Sequence, residues 1–248
     1  MLKQERHQFI MKQINLHNRV LSADLGVSLS VSEDTIRRDL VELAEQNKVV
    51  KVHGGALSKS YHFEIPKNNV YASEEKKLIG HKTVQLLSDN MFVLLGGGTT
   101  VSELVEILPV DLKITFFTVS LVTALQLCDH PNSEVIFLGG KISKSSQITS
   151  GGEVINRLGE ITADLCILGT NGISPQNGVT DSDIETVQLK RAMIKAARQT
   201  AIVTISEKLD TNQPMQVCGL DKIDYLITEL KSSSDILIDY QNLRLKTL

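Results

Sequence analysis

Apolar positions recur at helical spacing through residues 3–16, where Phe9, Ile10 and Ile14 fall on one side. They do so again over residues 33–46, where Ile36, Leu40 and Leu43 form a single stripe. Between these segments Ser22 is placed to cap a short helix through Leu29. The third helix has strong start signals. Ser32 is an N-cap type, Glu33 and Asp34 put acids in the first turn where the macrodipole favours them, and Val31 can pack on Ile36 as a hydrophobic staple. Residues 48–52, KVVKV, read as a strand, and His53-Gly54-Gly55-Ala56 as a tight hairpin turn. Helix, helix, turn, helix and hairpin is the order of a winged helix.

Beyond residue 73 the pattern changes. Residues 74–88 are helical, with Leu78, Ile79, Val84 and Leu87 apolar; a strand over 91–95 runs into Gly96-Gly97-Gly98-Thr99-Thr100, and a helix follows through residue 108. The apolar runs 114–119, 135–138, 165–168, 201–205 and 225–228 have the length of buried strands, with helical stretches between several of them. That predicts a layered, mostly parallel α/β sheet. Residues 58–73 contain Pro66, two Asn and no sustained period, and read as a linker. The expected division is therefore a winged-helix domain over 1–57, a linker over 58–73, and an α/β effector-binding and oligomerisation domain over 74–248.

Charge sharpens this division. Residues 1–60 hold nine Lys or Arg and seven Asp or Glu, net +2, which leaves 17 against 22, net −5, for the rest of a chain whose total is −3. Such a balance argues against a polycation that coats nucleic acid or anionic membrane, and leaves room for a local basic patch. Cys128, Cys166 and Cys218 are odd in number and far apart, so neither a disulfide framework nor a zinc site is suggested. No apolar run approaches the roughly 20 residues of a membrane span, and the polar start lacks the core of a signal peptide. A complete cytoplasmic protein is expected, with no metal, no cofactor and no membrane partner.

On the third helix, about 100° per residue puts Arg38 nearly opposite the apolar stripe, with Arg37 and Thr35 on its flanks. A helix start presenting Ser32, Thr35, Arg37 and Arg38 suits the recognition helix of a helix-turn-helix in a major groove, with His53 and Gly54 at the wing tip against a phosphate. The plain alternative is a solvated arginine face. In the second part, a strand, a glycine turn and a helix N-terminus make an anion site from Gly97, Gly98, Thr99 and Thr100. Ser120, Gly139-Gly140 and residues 169–172, including Asn171 and Gly172, stand after other strands, and ligands of parallel sheets sit at those carboxyl ends. Lys208, just past a strand, can give a point charge to a phosphate; Lys141, Lys190 and Arg191 are left open between ligand and solvent. Neither a dinucleotide fingerprint nor a P-loop is present: Val101 stands at the third glycine, and Ile142 follows Gly140-Lys141.

The string Val31-Ser-Glu-Asp-Thr-Ile-Arg-Arg-Asp-Leu40, followed by Val52-His-Gly-Gly-Ala56, resembles the DNA-binding signature of the DeoR family of bacterial transcriptional regulators. The resemblance continues through Gly98-Thr-Thr100, Gly139-Gly140, Gly169-Thr-Asn-Gly172, Gly178-Val-Thr180, Lys190-Arg-Ala-Met193 and Lys208, and so covers essentially the whole chain. It implies an effector domain similar to ribose-5-phosphate isomerase that binds a phosphorylated sugar, and a homo-oligomeric repressor acting on double-stranded operator DNA. Three positions depart from the family pattern. Gly96 stands for an Asp, Val119 for an Asn and Ile205 for an Asp, each a loss of a polar group from the proposed crevice. Asp181, Asp183 and Glu185 are open between compensating for these losses and simply beginning a helix. A sugar-phosphate isomerase built on the same carboxylates and Lys190, and a DNA-bound protein with a degenerate pocket, stand as rival readings.

Overall fold

The computed structural model describes residues 1–17, 19–58, 70–144, 146–241 and 245–248. The chain forms two compact units, residues 1–71 and 72–248. Most of the expected linker lies outside the described residues. Ser58 closes a strand of the first unit, and Ser73 opens a helix of the second.

In the first unit α1 (Lys3–His17), β1 (Arg19–Leu21), α2 (Ser22–Leu29), α3 (Glu33–Glu45), β2 (Val49–Val52) and β3 (Gly55–Ser58) follow in order. Ile10, Ile14, Leu25, Ile36, Leu40, Leu43, Val49 and Ala56 close one small core, against which Phe9 and Val31 pack. The start of α3 is capped at Ser32, whose Oγ accepts from the Thr35 N–H at 3.2 Å. The start of α2 differs from the expectation. Ser22 is buried as the first residue inside the helix and Leu21 takes the N-cap position without a side-chain cap, while the otherwise unpaired Ser22 N–H donates to Gly54 O at 2.8 Å. That bond fastens the wing tip to the helix-turn-helix.

β1 was not legible in the pattern, since three residues alternating exposed, buried, exposed carry too little period to separate from a turn. It pairs antiparallel with β3, which pairs antiparallel with β2, giving the order β1-β3-β2. The pairing leaves no room at Gly55, where a Cβ would lie 1.9 Å from the Val20 carbonyl oxygen. Gly54 beside it takes φ +75°, the left-handed region that glycine enters without strain.

The head also buries a charge. Asp39, on the inner side of α3, is 2% exposed and receives Arg6 Nε at 2.5 Å, an Arg6 terminal nitrogen at 2.9 Å, and shares a hydrogen bond with His7 Nε2 at 3.0 Å. Burial alone would raise its pKa, but Arg6 and His7 outweigh that and hold it below the ordinary value. α1 is thereby tied to α3 by a bidentate pair as well as by apolar packing.

In the second unit α4 (Ser73–Val84), β4 (Phe92–Leu95), α5 (Thr99–Glu106), β5 (Thr115–Thr118), α6 (Leu121–Leu127) and β6 (Glu134–Phe137) come first. Then follow β7 (Lys141–Ser143), β8 (Ile148–Ser150), α7 (Gly152–Leu158), β9 (Ala163–Gly169), β10 (Gly172–Ser174), β11 (Gly178–Asp181) and α8 (Ile184–Lys195). β12 (Ala197–Val203), β13 (Met215–Cys218), β14 (Tyr225–Ile227), α9 (Ile238–Gln241) and β15 (Lys246–Thr247) complete it. The five strands expected from apolar runs all lie in one seven-stranded sheet, order β15-β14-β12-β9-β4-β5-β6, in which every described pairing is parallel. Its central strands are buried, as runs such as Leu165, Cys166, Ile167 and Leu168 require. An antiparallel sheet, β10-β11-β13, and a hairpin, β7-β8, are additions whose short strands, such as Lys141–Ser143 and Gly178–Asp181, mix polar with apolar residues and so carry no apolar run.

Two outcomes follow for the head. Gly55→Ala should lower the melting temperature of the head transition sharply, by at least the roughly 3 kcal/mol that overpacking against backbone costs, whereas Gly54→Ala should cost only about 1 kcal/mol; calorimetry separates them. Asp39→Asn should cost about 3 kcal/mol at neutral pH by leaving Arg6 buried without its counter-charge. Because the native pKa of Asp39 is lowered, its contribution is complete above the ordinary value of 3.8 and vanishes as pH falls through the native value. The two melting curves should therefore converge at acid pH.

Candidate functional site

On α3, the side opposite the core presents Arg38, whose side chain is 79% exposed, and Arg37, at 60%. Each is held by an acid one turn earlier: Arg37 donates to Glu33 at 2.7 Å and Arg38 to Asp34 at 2.6 Å. These exposed pairs are worth little in water, so a phosphate or a base edge can replace the acids. Ser32 is exposed and Thr35 half-buried, and their hydroxyls share a hydrogen bond of 2.8 Å. His53 and Gly54 are exposed at the wing tip. Arg19 and Lys51 are exposed on β1 and β2, cations on the wing sheet that the sequence reading passed over.

In the second unit, β4 ends at Leu95 and the chain passes Gly96, Gly97 and Gly98 into α5. Gly98 takes φ +104°, and a Cβ there would meet nothing within 4 Å. Its neighbours face elsewhere: a Cβ on Gly97 would lie 3.0 Å from Ser120 Oγ, and one on Gly96 would lie 2.9 Å from Leu168 Cδ2. Gly97, Gly98, Thr99 and Thr100 are all half-exposed at the start of α5, where amide N–H groups and the helix dipole favour an anion.

The end of β9 lies beside this turn, with Gly169 positioned so that its Cβ would stand 3.8 Å from Gly97 O. Lys190 Nζ donates to Gly169 O at 2.9 Å and to Asp181 Oδ2 at 2.7 Å, while Lys208 Nζ donates to Thr170 O at 2.9 Å. Two ammonium groups thus rest on successive carbonyls of one strand end. Lys190, left open between ligand and solvent, is buried to 15% side-chain exposure in an ion pair. Asp181 is held below the usual carboxylate range: burial opposes this, but the charge and hydrogen bond of Lys190, the Ser182 N–H at 2.7 Å and Asn171 Nδ2 at 3.0 Å prevail. Burial pushes the Lys208 ammonium down to about 7, helped by the like charges of Lys76 and Lys190 and opposed by Asp181. Lys76, on α4, is buried and pushed down to about 8 for the same first reason, against the pull of Glu103 and Glu75.

The remaining candidates are more committed to the fold. Ser120 is buried as the N-cap of α6, its Oγ accepting from the Thr123 N–H at 3.3 Å. Gly172 N–H donates to Thr170 Oγ1 at 3.2 Å, and a Cβ there would lie 2.8 Å from Thr211 O, so it closes a turn and offers no open amide. Val119 and Ile205 are core residues. Asp183 caps α8 by accepting from the Thr186 N–H at 2.8 Å, and Glu185 receives Ser150 Oγ at 2.8 Å and pairs with Lys141 at 3.5 Å. Arg191 ties α8 to β13 by donating to the carbonyls of Val217 and Gln216, at 3.1 and 2.6 Å. Sequence reasoning missed Lys76 entirely, since Glu-Glu-Lys-Lys over residues 74–77 reads as a solvated helix start. No group of three or more His, Cys, Asp or Glu is arranged to hold a metal among the described residues, and no described helix is long and apolar enough to cross a membrane.

Comparison with known proteins places these units. Residues 6–61 match a family model described as a DeoR-like helix-turn-helix domain, and residues 71–230 match the DeoR C terminal sensor domain. The HTH-type transcriptional repressor GlcR of Bacillus subtilis is 34% identical over 92% of this chain and 89% of its own length. The HTH-type transcriptional regulator GolR of Listeria innocua is 29% identical over 96% and 95%, and the glycerol-3-phosphate regulon repressor of Escherichia coli 27% identical over 92% of each. Among solved structures, ribose 5-phosphate isomerase A of Methanocaldococcus jannaschii aligns with 56% of this chain and 55% of its own, at 14% identity and a TM-score of 0.42. With both units matched in order and a repressor aligned nearly end to end, the chain belongs to the DeoR family of transcriptional regulators.

Proposed function

We propose that this protein is a repressor of carbohydrate-metabolism genes that binds operator DNA through Ser32, Thr35, Arg37, Arg38, His53 and Gly54, and releases it when a phosphorylated sugar occupies the crevice at the ends of β4, β9 and β12. The observation that carries the DNA half is the capped start of α3, with two arginines projecting opposite a closed core and a wing fastened beside it. Named relatives support the regulatory direction: GlcR is a repressor, and another relative represses a glycerol-3-phosphate regulon. A single head reads few base pairs, so a homo-oligomer on a two-fold repeated site is part of the same reading.

The effector half rests on charge. Lys190 and Lys208 rest on the carbonyls of Gly169 and Thr170 beside the glycine turn, and Asp181 is already engaged by Lys190. Gly97, Gly98, Thr99, Thr100 and Lys208 form the proposed anion cradle, with Asn171 orienting Asp181 behind it. Ser120 and Gly172 support the neighbouring turns. A regulator is favoured over an isomerase because the candidate acid/base set is engaged within the fold: Asp181 with Lys190 in a buried ion pair, Asp183 as a helix cap and Glu185 in an exposed salt bridge.

Arg38→Ala should weaken binding to the DNA upstream of the regulated genes by about tenfold, one lost charge-assisted contact, with an unchanged melting temperature. Equal binding by both proteins in an anisotropy titration would remove Arg38 from the interface. An anion bound beside Lys208 favours its charged form, so binding between about pH 7 and pH 9 should take up a proton, and affinity should fall as pH rises through that window. Titration calorimetry of inorganic phosphate in two buffers of different ionisation enthalpy measures the uptake. Lys208→Met should abolish it together with most of the affinity.

A further inference from the structure

Lys208 stands on a single 3-10 turn, Ser206–Lys208, that follows β12. The turn is closed by its own backbone, with the Lys208 N–H donating to Ile205 O at 3.0 Å and the Leu209 N–H to Ser206 O at 2.9 Å. So short an element fixes several dihedrals for each bond it makes, and it keeps its shape only where its surroundings hold it. At its entry both carboxylate oxygens of Glu229 accept from the Ser206 N–H, at 3.1 and 3.0 Å. At its exit the Thr211 hydroxyl donates to Lys208 O at 2.8 Å, and the buried Leu209 bridges to Ile173 of β10.

The exit also carries a strained residue. Asp210 takes φ +55°, a left-handed conformation that a non-glycine residue keeps only when its contacts require it. The contact that holds it comes from Tyr240 on α9. The Tyr240 hydroxyl accepts from the Asp210 N–H at 3.1 Å, and Asp210 Oδ1 and Ile173 O each lie at 3.0 Å to receive its proton. Tyr240 is fully buried, and burial pushes its phenol above the ordinary value, so the hydroxyl keeps that proton. Phenylalanine would fill nearly the same volume; what the oxygen adds is the tie between α9, the turn after β12 and β10. Tyr240 lies past residue 230, where the match to the sensor domain ends.

The turn fastened in this way sets Lys208 Nζ against Thr170 O at 2.9 Å, next to Lys190 on Gly169 O. We infer that Tyr240 is a positioning residue of the effector crevice: through Asp210 it fixes the turn that presents Lys208, and so sets from the C-terminal helix where the cation meets its anion. The inference rests on the reading of Lys208 as an anion-binding group. Tyr240 itself touches no ligand.

Tyr240→Phe removes an oxygen and no charge, so a change at Lys208 reports its position. The full-length protein is tested in two ways: the ligand-free titration of Lys208, followed by NMR of labelled lysine side chains and assigned with Lys208→Met, and calorimetry with inorganic phosphate. In the wild type burial holds Lys208 down to about 7, with Lys76 and Lys190 adding to this and Asp181 opposing it. In Tyr240→Phe the loosened turn should admit water to the ammonium and move its midpoint up by at least about one pH unit. Phosphate affinity, measured at about pH 6 where Lys208 is charged in both proteins, should fall about tenfold. Thr211→Val, which also changes no charge, should move both quantities in the same directions and stands in if Tyr240→Phe fails to fold. A Lys208 midpoint and a phosphate affinity unchanged in both variants would overturn the inference and leave the anion reading standing. Wild-type protein that binds no phosphate would overturn the anion reading, and the inference with it.

Discussion

Lys190, Asp181 and Lys208 meet at one end of a parallel sheet, and the end of the sensor unit that they share is organised around those charges. Parallel connection returns every strand in the same direction, so the ends of β4, β9 and β12 and the turns after them must share one edge. Lys190 and Lys208 reach that edge from α8 and from the turn after β12, and rest on adjacent carbonyls of residues 169 and 170. Asp181 neutralises the first of them. Burial disfavours the charged form of the second, the neighbouring ammonium groups add to this, and Asp181 opposes it. The proposed anion cradle takes its charge from this arrangement.

The head solves the opposite problem. Its charged contact is internal and complete: Arg6 and His7 satisfy Asp39 on the buried side of α3, so α1 and α3 are fixed relative to each other without using any group on the outer side. The Ser22 to Gly54 bond and the absence of space at Gly55 fix the wing in the same way. The side chains proposed for recognition are therefore carried on a frame whose own polar needs are met elsewhere.

What the sequence disclosed follows from the range over which each signal acts. The third helix was readable because Ser32, its acidic first turn and the stripe of Ile36, Leu40 and Leu43 lie within twelve residues. The five parallel strands were readable because each carries an apolar run, unbroken over residues 165–168 and 201–203 at the buried centre of the sheet. Asp39 was not singled out, since an aspartate among arginines on a helix looks solvated until Arg6, 33 residues away, is brought against it. Lys76 escaped for a similar reason, and Lys190 was left open because its partner Asp181 sits across a turn and a helix start. Ser22 misled in the other direction: its residue type suits a cap, but the wing claims its amide. The short antiparallel strands had too few residues for any period to emerge.

The salt bridges of Arg37 with Glu33 and Arg38 with Asp34 alter the thermodynamics of ion release. A free arginine that meets a phosphate liberates a condensed cation from the duplex and gains a full charge contact, so every random stretch of DNA attracts it equally. Here each arginine arrives with a tethered counter-ion that must first be displaced, and which is then left close to the polyanion. The displacement costs little because the pairs are exposed, and a base edge that holds the guanidinium in two hydrogen bonds more than repays it. In the proposed reading of α3 as the recognition helix, the acids at its start set a low threshold that any contact of Arg37 or Arg38 with DNA has first to cross.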